Sequence, residues 1–273
     1  MGLYHGPVNN TNKATGANMV AKNQRLTRRQ QRLAEKGLEK QDQVSKFPTI
    51  SNLNFNLKTI SPITLNQVRT FNLYSEGSNL LLHGCAGTGK TFISMYLALN
   101  EIEDKRSKKR KLVIIRTAQP SKQIGFLPGT EKQKLEVYEA PYKAICSELY
   151  HRDDAYDILK QKGIIEFHST SFLRGTTIDD SIVIVDECQN QSYQELRTVI
   201  TRLGDNSRLI LCGDTKQDDL TSERFKETSG LRDMMRVFEQ MDMLDTVTFE
   251  VEDIVRSGFV RNFIIAENQL GLY

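Results

Sequence analysis

The amino-acid sequence predicts an α/β fold on a mostly parallel sheet with helices on both faces, and three observations lead there. From Asn79 onward, short apolar segments alternate with amphipathic ones, the rhythm of repeated strand–helix–strand units. Two apolar segments, Leu112 to Ile115 and Ile182 to Val185, are continuously apolar rather than alternating, as strands covered on both faces are. Between an apolar run (Leu80, Leu81, Leu82) and a helical run (Phe92, Met95, Tyr96, Leu99) lies Gly84-Cys85-Ala86-Gly87-Thr88-Gly89-Lys90-Thr91, which satisfies the G-x-x-x-x-G-K-[ST] pattern.

Strands are expected at 79–83, 111–116, 164–168, 181–186, 207–212 and 246–250, with 111–116 and 181–186 central in the sheet. A helix is expected at 191–203. Ser192 and Glu195 stand at capping-box spacing, and Leu196, Val199, Ile200 and Leu203 form one apolar stripe that Gly204 ends. Leu231, Met234, Phe238 and Met241 form a second stripe, read as core packing. No internal repeat is found.

At 273 residues the chain allows one large domain or two small ones. With 38% apolar and 26% charged residues, it is neither low-complexity nor broadly disordered. Its apolar runs fall far short of the roughly 18 residues of a membrane span, and no secretory h-region opens the chain. Cys85, Cys146, Cys188 and Cys212 show no CxxC spacing, which fits reduced thiols and a cytoplasmic location.

The formal charge of +3 is unevenly spread: residues 1–46 hold nine Lys or Arg against three acids, so that segment is +6 and the remainder −3. It opens with an Asn-, Thr- and Gly-rich stretch lacking hydrophobic period, and is read as a basic, flexible N-terminal arm preceding a folded domain at 47–273. Two readings of the arm stand side by side: a solubilising tail, and a segment drawn to a phosphate backbone.

The loop at 84–91 carries the chemistry. Its glycines let successive N–H groups turn toward an anion, and the following helix adds its partial positive charge. Lys90 is expected at the β- and γ-phosphates and Thr91 on Mg²⁺. Further on, the run Ser181 to Val185 ends in Asp186 and Glu187, and a buried strand ending in adjacent acids is costly unless a cation compensates. Asp186 is therefore expected to hold Mg²⁺ with Thr91, and Glu187 to deprotonate the attacking water. After the next strand, Gln217 is a candidate γ-phosphate sensor, the alternative being a surface turn residue.

Ser181 to Asn190 (SIVIVDECQN), Phe172 to Thr177, Gly125-Phe126-Leu127-Pro128-Gly129, Thr201 to Gly204 and Gly213 to Asp218 together resemble the PhoH family of P-loop ATPases. The likeness runs from about Ile60 to the C-terminus, and the wording around Ile115 to Ser121 is most similar to bacteriophage-borne members. It implies a RecA-like core similar to the first motor domain of superfamily 1 helicases, with ATP and Mg²⁺ as cofactors and RNA or single-stranded DNA as partner. It also implies that Gln67 reads adenine, that Arg256 acts near the γ-phosphate, and that Arg116 and Arg174 contact nucleic acid. This chain departs from the family pattern at Pro120, Ser121 and Lys122, where many cellular members carry an acidic pair, and at Ser257, where His is common. Cys85 and Cys188 flank the expected nucleotide position.

The leading expectation is a Mg²⁺-dependent ATPase coupled to nucleic-acid binding, helicase-like in action. The alternatives are a regulatory nucleic-acid-binding protein that uses ATP as a conformational switch, and a P-loop kinase. No fused nuclease is expected. Residues 219–273 are too few for a second RecA-like domain, so a neighbouring copy is expected to complete the site, in a homo-oligomer of hexameric ring form. Deleting residues 1–46 is expected to weaken nucleic-acid binding and flatten its salt dependence, while thermal unfolding of the remainder stays nearly unchanged. Anisotropy titrations at several salt concentrations check this, and an unaltered slope returns the arm to the solubility reading.

Overall fold

In a computed structural model of the chain, residues 50, 53, 55–117, 131–170, 177–214 and 230–271 are described. The arm at 1–46, the GFLPG segment, Arg174 and Gln217 lie outside the described residues.

The described chain runs α1 (Leu65–Glu76), β1 (Asn79–Gly84), α2 (Lys90–Glu103), β2 (Lys111–Arg116), α3 (Glu131–Tyr150), α4 (Ala155–Gln161) and β3 (Ile165–Ser169). It continues with β4 (Ser181–Asp186), α5 (Tyr193–Ile200), β5 (Arg208–Gly213), α6 (Gly230–Phe238), β6 (Leu244–Phe249) and α7 (Gly258–Gln269). The six strands form one sheet in the order β3-β2-β4-β5-β1-β6. Every pairing is parallel. All six expected strands are present, and β2 and β4 are interior.

Side chains on a strand alternate between the faces of the sheet. Leu80, Leu82, Leu112, Ile114, Ile182, Ile184 and Ile210 belong to one buried cluster, with residues of α1 to α4. Leu81, Val113, Ile115, Val183, Val185, Leu209 and Leu211 belong to the other, with residues of α5 and α6. Burial on both faces is why β2 and β4 read as unbroken apolar runs rather than alternating ones.

The capping box of α5 forms as its spacing predicts: Ser192 Oγ accepts from Glu195 N–H, and Glu195 Oε2 accepts from Ser192 N–H at 2.9 Å. Glu195 Oε1 also accepts from Thr170 Oγ1 at 2.9 Å, so the cap ties α5 to the end of β3. The helix ends at Ile200, short of the expected Leu203. Leu203 forms a parallel bridge with Ile178, and Gly204 N–H donates to Ile178 O, so a long-range backbone pairing draws the chain out of the helix.

The second stripe is corrected at its last member. Leu231, Met234 and Phe238 are buried on α6, but Met241 is 44% exposed. The helix stops at Phe238, and tight turns from Gln240 N–H to Val237 O and from Met241 N–H to Phe238 O rotate Met241 off the core face.

Replacing Ser192 by Ala is expected to cost about 1 kcal/mol, within the range for lost N-caps. In a chain of this size that lowers Tm by roughly 2–4 °C, measurable by thermal unfolding.

Candidate nucleotide and metal site

Strand order brings the two expected motifs together. β1 delivers the phosphate loop and β4 delivers the acids, with β5 between them in the sheet. Because all the strands are parallel, both motifs emerge at the same edge, where parallel α/β sheets place their ligand crevices.

The loop is shaped by its glycines and held by its neighbours. Gly84 has φ 111°, and a Cβ there would lie 2.2 Å from the Phe249 carbonyl oxygen. That close approach lets Cys85 N–H donate to Phe249 O at 2.8 Å, anchoring the loop on the end of β6. Its carbonyls are turned toward protein donors: Lys90 Nζ donates to Gly84 O at 2.7 Å and to Cys85 O at 2.8 Å. Val255 N–H donates to Gly87 O at 3.0 Å, and Gln67 Nε2 to Thr88 O at 3.1 Å. With its carbonyls so engaged, the loop leads into the start of α2, whose first amides have no partner within the helix and suit an anion. Burial pulls the Lys90 ammonium below the ordinary lysine value, and Asp214, Cys212, Glu187 and Cys85 act in the opposite direction.

Thr91 and Asp186 meet as expected. Thr91 Oγ1 donates to Asp186 Oδ1 at 2.9 Å. The other oxygen, Oδ2, accepts from Tyr142 Oη on α3 at 2.8 Å. Burial raises the Asp186 pKa, and the adjacent Glu187 adds to the rise, while Tyr142, Thr91 and Arg116 oppose it. Burial likewise pushes the Tyr142 phenol far above its ordinary value, with Asp186 the next cause. A buried acid beside a second acid is a site that favours a cation. Among the described residues no three His, Cys, Asp or Glu side chains gather to hold a metal by themselves. One hydroxyl and one carboxylate are the protein ligands that Mg²⁺ takes when substrate phosphates supply others, so these residues fit it.

Glu187 follows Asp186 in the left-handed conformation, φ 51°. Its Oε2 accepts from Gln189 Nε2 at 2.7 Å, while Gln189 Oε1 accepts from Asp214 N–H at 3.0 Å. Gln189 is 1% exposed. Its amide therefore joins the candidate base to the residue that follows β5, just before the segment that carries Gln217.

The remaining expected residues fall as follows. Gln67 is buried, with Oε1 accepting from Ile63 N–H at 3.0 Å and Nε2 donating to the loop. Each end of that amide keeps capacity for one more hydrogen bond. Arg256 lies across the loop: a Cβ on Gly87 would stand 2.9 Å from Arg256 Cγ. The 3₁₀ turn Val251–Asp253 sets its approach, since Asp253 Oδ2 accepts from Asn66 Nδ2 at 2.7 Å and from Glu250 N–H at 3.0 Å. Burial would raise the Asp253 pKa, but these hydrogen bonds hold it below its ordinary value. Arg116 is in register with Asp186 on the adjacent strand, and its charge acts on Tyr142 and on both acids. Cys85, Cys188 and Cys212 are buried, and none of them is in a disulfide.

Tyr142, Gln189 and His83 were not singled out by the sequence. Gln189 stood inside the quoted SIVIVDECQN string, and its place two residues after the acid was the available signal. Tyr142 gave none, because its contact spans 44 residues along the chain. His83, one residue before the loop, bonds Thr248 Oγ1 at 3.0 Å; burial, then Lys90, lowers its pKa, which favours the neutral ring.

A family model described as "PhoH-like protein" matches residues 59–267. The chain is 32% identical over 223 residues to a PhoH-like protein of Mycobacterium leprae, covering 79% of this chain and 62% of that relative. It is 33% identical over 184 residues to Protein PhoH of Escherichia coli K12, covering 67% of this chain and 51% of that one. The chain thus spans under two thirds of the length of these relatives. Among solved structures it is similar to the Sulfolobus solfataricus SWI2/SNF2 ATPase core in complex with dsDNA, at 15% identity and a TM-score of 0.39, over 80% of this chain and 58% of that one.

Replacing Gln189 by Leu removes a hydrogen bond to a charged group, worth about 1.5–3 kcal/mol. Turnover is expected to fall roughly tenfold or more with nucleotide affinity little changed, since 1.4 kcal/mol corresponds to a factor of ten. Steady-state rates alongside nucleotide titrations check this, and unchanged turnover contradicts it.

Proposed function

This chain belongs to the PhoH-like protein family, and on that premise we propose that it is a Mg²⁺-dependent ATPase coupling hydrolysis to the binding of RNA or single-stranded DNA, in the manner of a helicase-like motor. The observation that carries the reading is the 2.9 Å contact between Thr91 Oγ1 and Asp186 Oδ1, which unites the phosphate loop with the acid strand.

In this reading Lys90 leaves its loop carbonyls for the β- and γ-phosphates. Thr91 and Asp186 hold Mg²⁺, which when bound neutralises developing charge on the phosphate oxygens. Glu187, with Oε2 fixed by Gln189, uses Oε1 to orient a water and take its proton as the water oxygen attacks the γ-phosphorus. The bond from that phosphorus to the bridging oxygen breaks, and the electron pair leaves with ADP. Arg256 stabilises the charge spread over the transferring group, and Gln67 spends its remaining donor and acceptor on the adenine edge. Gln217 is retained as γ-phosphate sensor, and Arg116 and Arg174 as nucleic-acid contacts. The compartment in this reading is the cytoplasm, which cysteines outside any disulfide suit. Among the described residues no helix is long and apolar enough to cross a membrane.

We further propose a homo-oligomer, a hexameric ring with nucleotide sites at its subunit interfaces. Supporting it, α7 buries no residue, and Phe259 on α7 and Leu65 on α1 are 84% and 87% exposed on elements that flank the phosphate loop.

Lys90→Ala is expected to abolish nucleotide binding, because it removes a cation from the phosphates. Glu187→Gln is expected to keep ATP and Mg²⁺ but lose most turnover, because only the base is removed. An ATPase assay with and without poly-RNA and single-stranded DNA tests both; a Glu187→Gln rate near that of the parent sinks the assignment of the base. For the ring, size exclusion with light scattering in Mg²⁺ and a non-hydrolysable ATP analogue is expected to show an assembly. A monomer fully active at nanomolar concentration excludes the ring as a catalytic requirement.

A further inference from the structure

The turn between α2 and β2 holds Lys105, Arg106, Lys108, Lys109, Arg110 and Lys111 within seven consecutive positions. It enters β2 at its N-terminal end, so it lies at the sheet edge opposite the phosphate loop, roughly 17–20 Å away for strands of about six residues.

The turn is ordered by its own hydrogen bonds. Asp104 Oδ1 accepts from Arg106 N–H at 2.9 Å, Ser107 N–H donates to Asp104 O at 2.9 Å, and Lys109 N–H donates to Ser107 Oγ at 3.1 Å. Arg110 N–H donates to Asp180 O at 2.8 Å, fixing the turn to the start of β4.

Three of the six cations are paired: Arg106 with Asp104, Lys109 with Glu101 and Lys111 with Glu166. Lys105 and Lys108 are exposed and have no ion pair among the described residues. Arg110 Nε is buried with no hydrogen-bond acceptor among them. Lys162, also exposed, stands beside the turn, because Leu112 N–H bonds Ile164 O across the gap between β2 and β3. On the other side, at the starts of β4 and β5, stand Asp179, Asp180 and Asp205, with Arg208 paired to Glu101.

Like charges this dense repel one another and contribute nothing to the core, and the Arg106–Asp104 pair is too exposed to stabilise the fold appreciably. No apolar residue occurs between Asp104 and Lys111, whereas protein partners engage surfaces with an apolar centre. Phosphate-backbone contacts need only placed cations.

We propose that this turn is a second phosphate-backbone contact for a single nucleic-acid strand, separate from the edge that holds the nucleotide. It rests on the reading that the chain binds nucleic acid. A strand held there leaves the crevice free, so its binding does not compete with ATP.

The test uses the full chain and a Lys105→Gln, Lys108→Gln, Lys162→Gln triple variant, none of whose positions belongs to the nucleotide site. Anisotropy of labelled oligouridylate and oligothymidylate is titrated between 50 and 200 mM salt, about the range over which counterion release is read. Each lost contact removes about 0.7 from the log–log salt slope for single strands, so the variant slope is expected to be shallower by about 2. ATP hydrolysis without nucleic acid is expected to be unchanged. Parent-like affinity and slope in the variant overturn this contact alone, and so does loss of binding to labelled polyglutamate with oligonucleotide binding intact, which marks an acidic protein as the partner. A parent chain that binds neither oligonucleotide overturns the nucleic-acid reading, and this contact with it.

Discussion

Asp186 ends a strand buried on both faces, and a carboxylate in that position must be protonated, hydrogen-bonded or balanced by positive charge. Every group that answers this demand comes from a different element. Thr91 comes from α2, Tyr142 from α3, and Arg116 from the end of β2. The acid thus recruits the phosphate loop, a helix and the neighbouring strand to one point. It also explains why a cation suits the site: Glu187 beside it brings a second acid to the same point.

The phosphate loop obeys a complementary constraint. Its carbonyls are drawn away by Lys90, Val255 and Gln67, so the loop is preorganised before any anion arrives. Two of those donors belong to segments that frame the site. Gln67 brings α1 to the loop, while Val255 brings the 3₁₀ turn and Arg256 with it. Asp253, bonded to Asn66, closes α1 against that turn. Residues nearly two hundred positions apart are thereby fixed on one loop, which is the preorganisation that electrostatic catalysis requires.

What the sequence disclosed follows the range of the forces involved. The inner strands β2 and β4 were legible because their two-sided burial is written as local apolar runs, and the α5 cap because Ser192 and Glu195 are three residues apart. The phosphate loop and the Asp186-Glu187 pair were legible because each is a contiguous string. The end of α5 was not, since the Ile178–Leu203 bridge that stops the helix is a long-range pairing. Helix α3 was missed as well, its pattern interrupted by Pro141. With it went Tyr142, whose bond to Asp186 forms only once α3 is folded against the sheet. The bond from Gln189 to Asp214 likewise depends on β5 lying next to β4.

If Thr91 and Asp186 form one metal and nucleotide site, nucleotide binds there through Mg²⁺. Isothermal titration of a non-hydrolysable ATP analogue into the full chain, with Mg²⁺ and then with EDTA, and again with Asp186→Asn, tests it most directly. Tight binding that requires Mg²⁺ and is lost or made Mg²⁺-independent by Asp186→Asn is the predicted result. Equal affinity with and without Mg²⁺, or an Asp186→Asn chain indistinguishable from its parent, contradicts it.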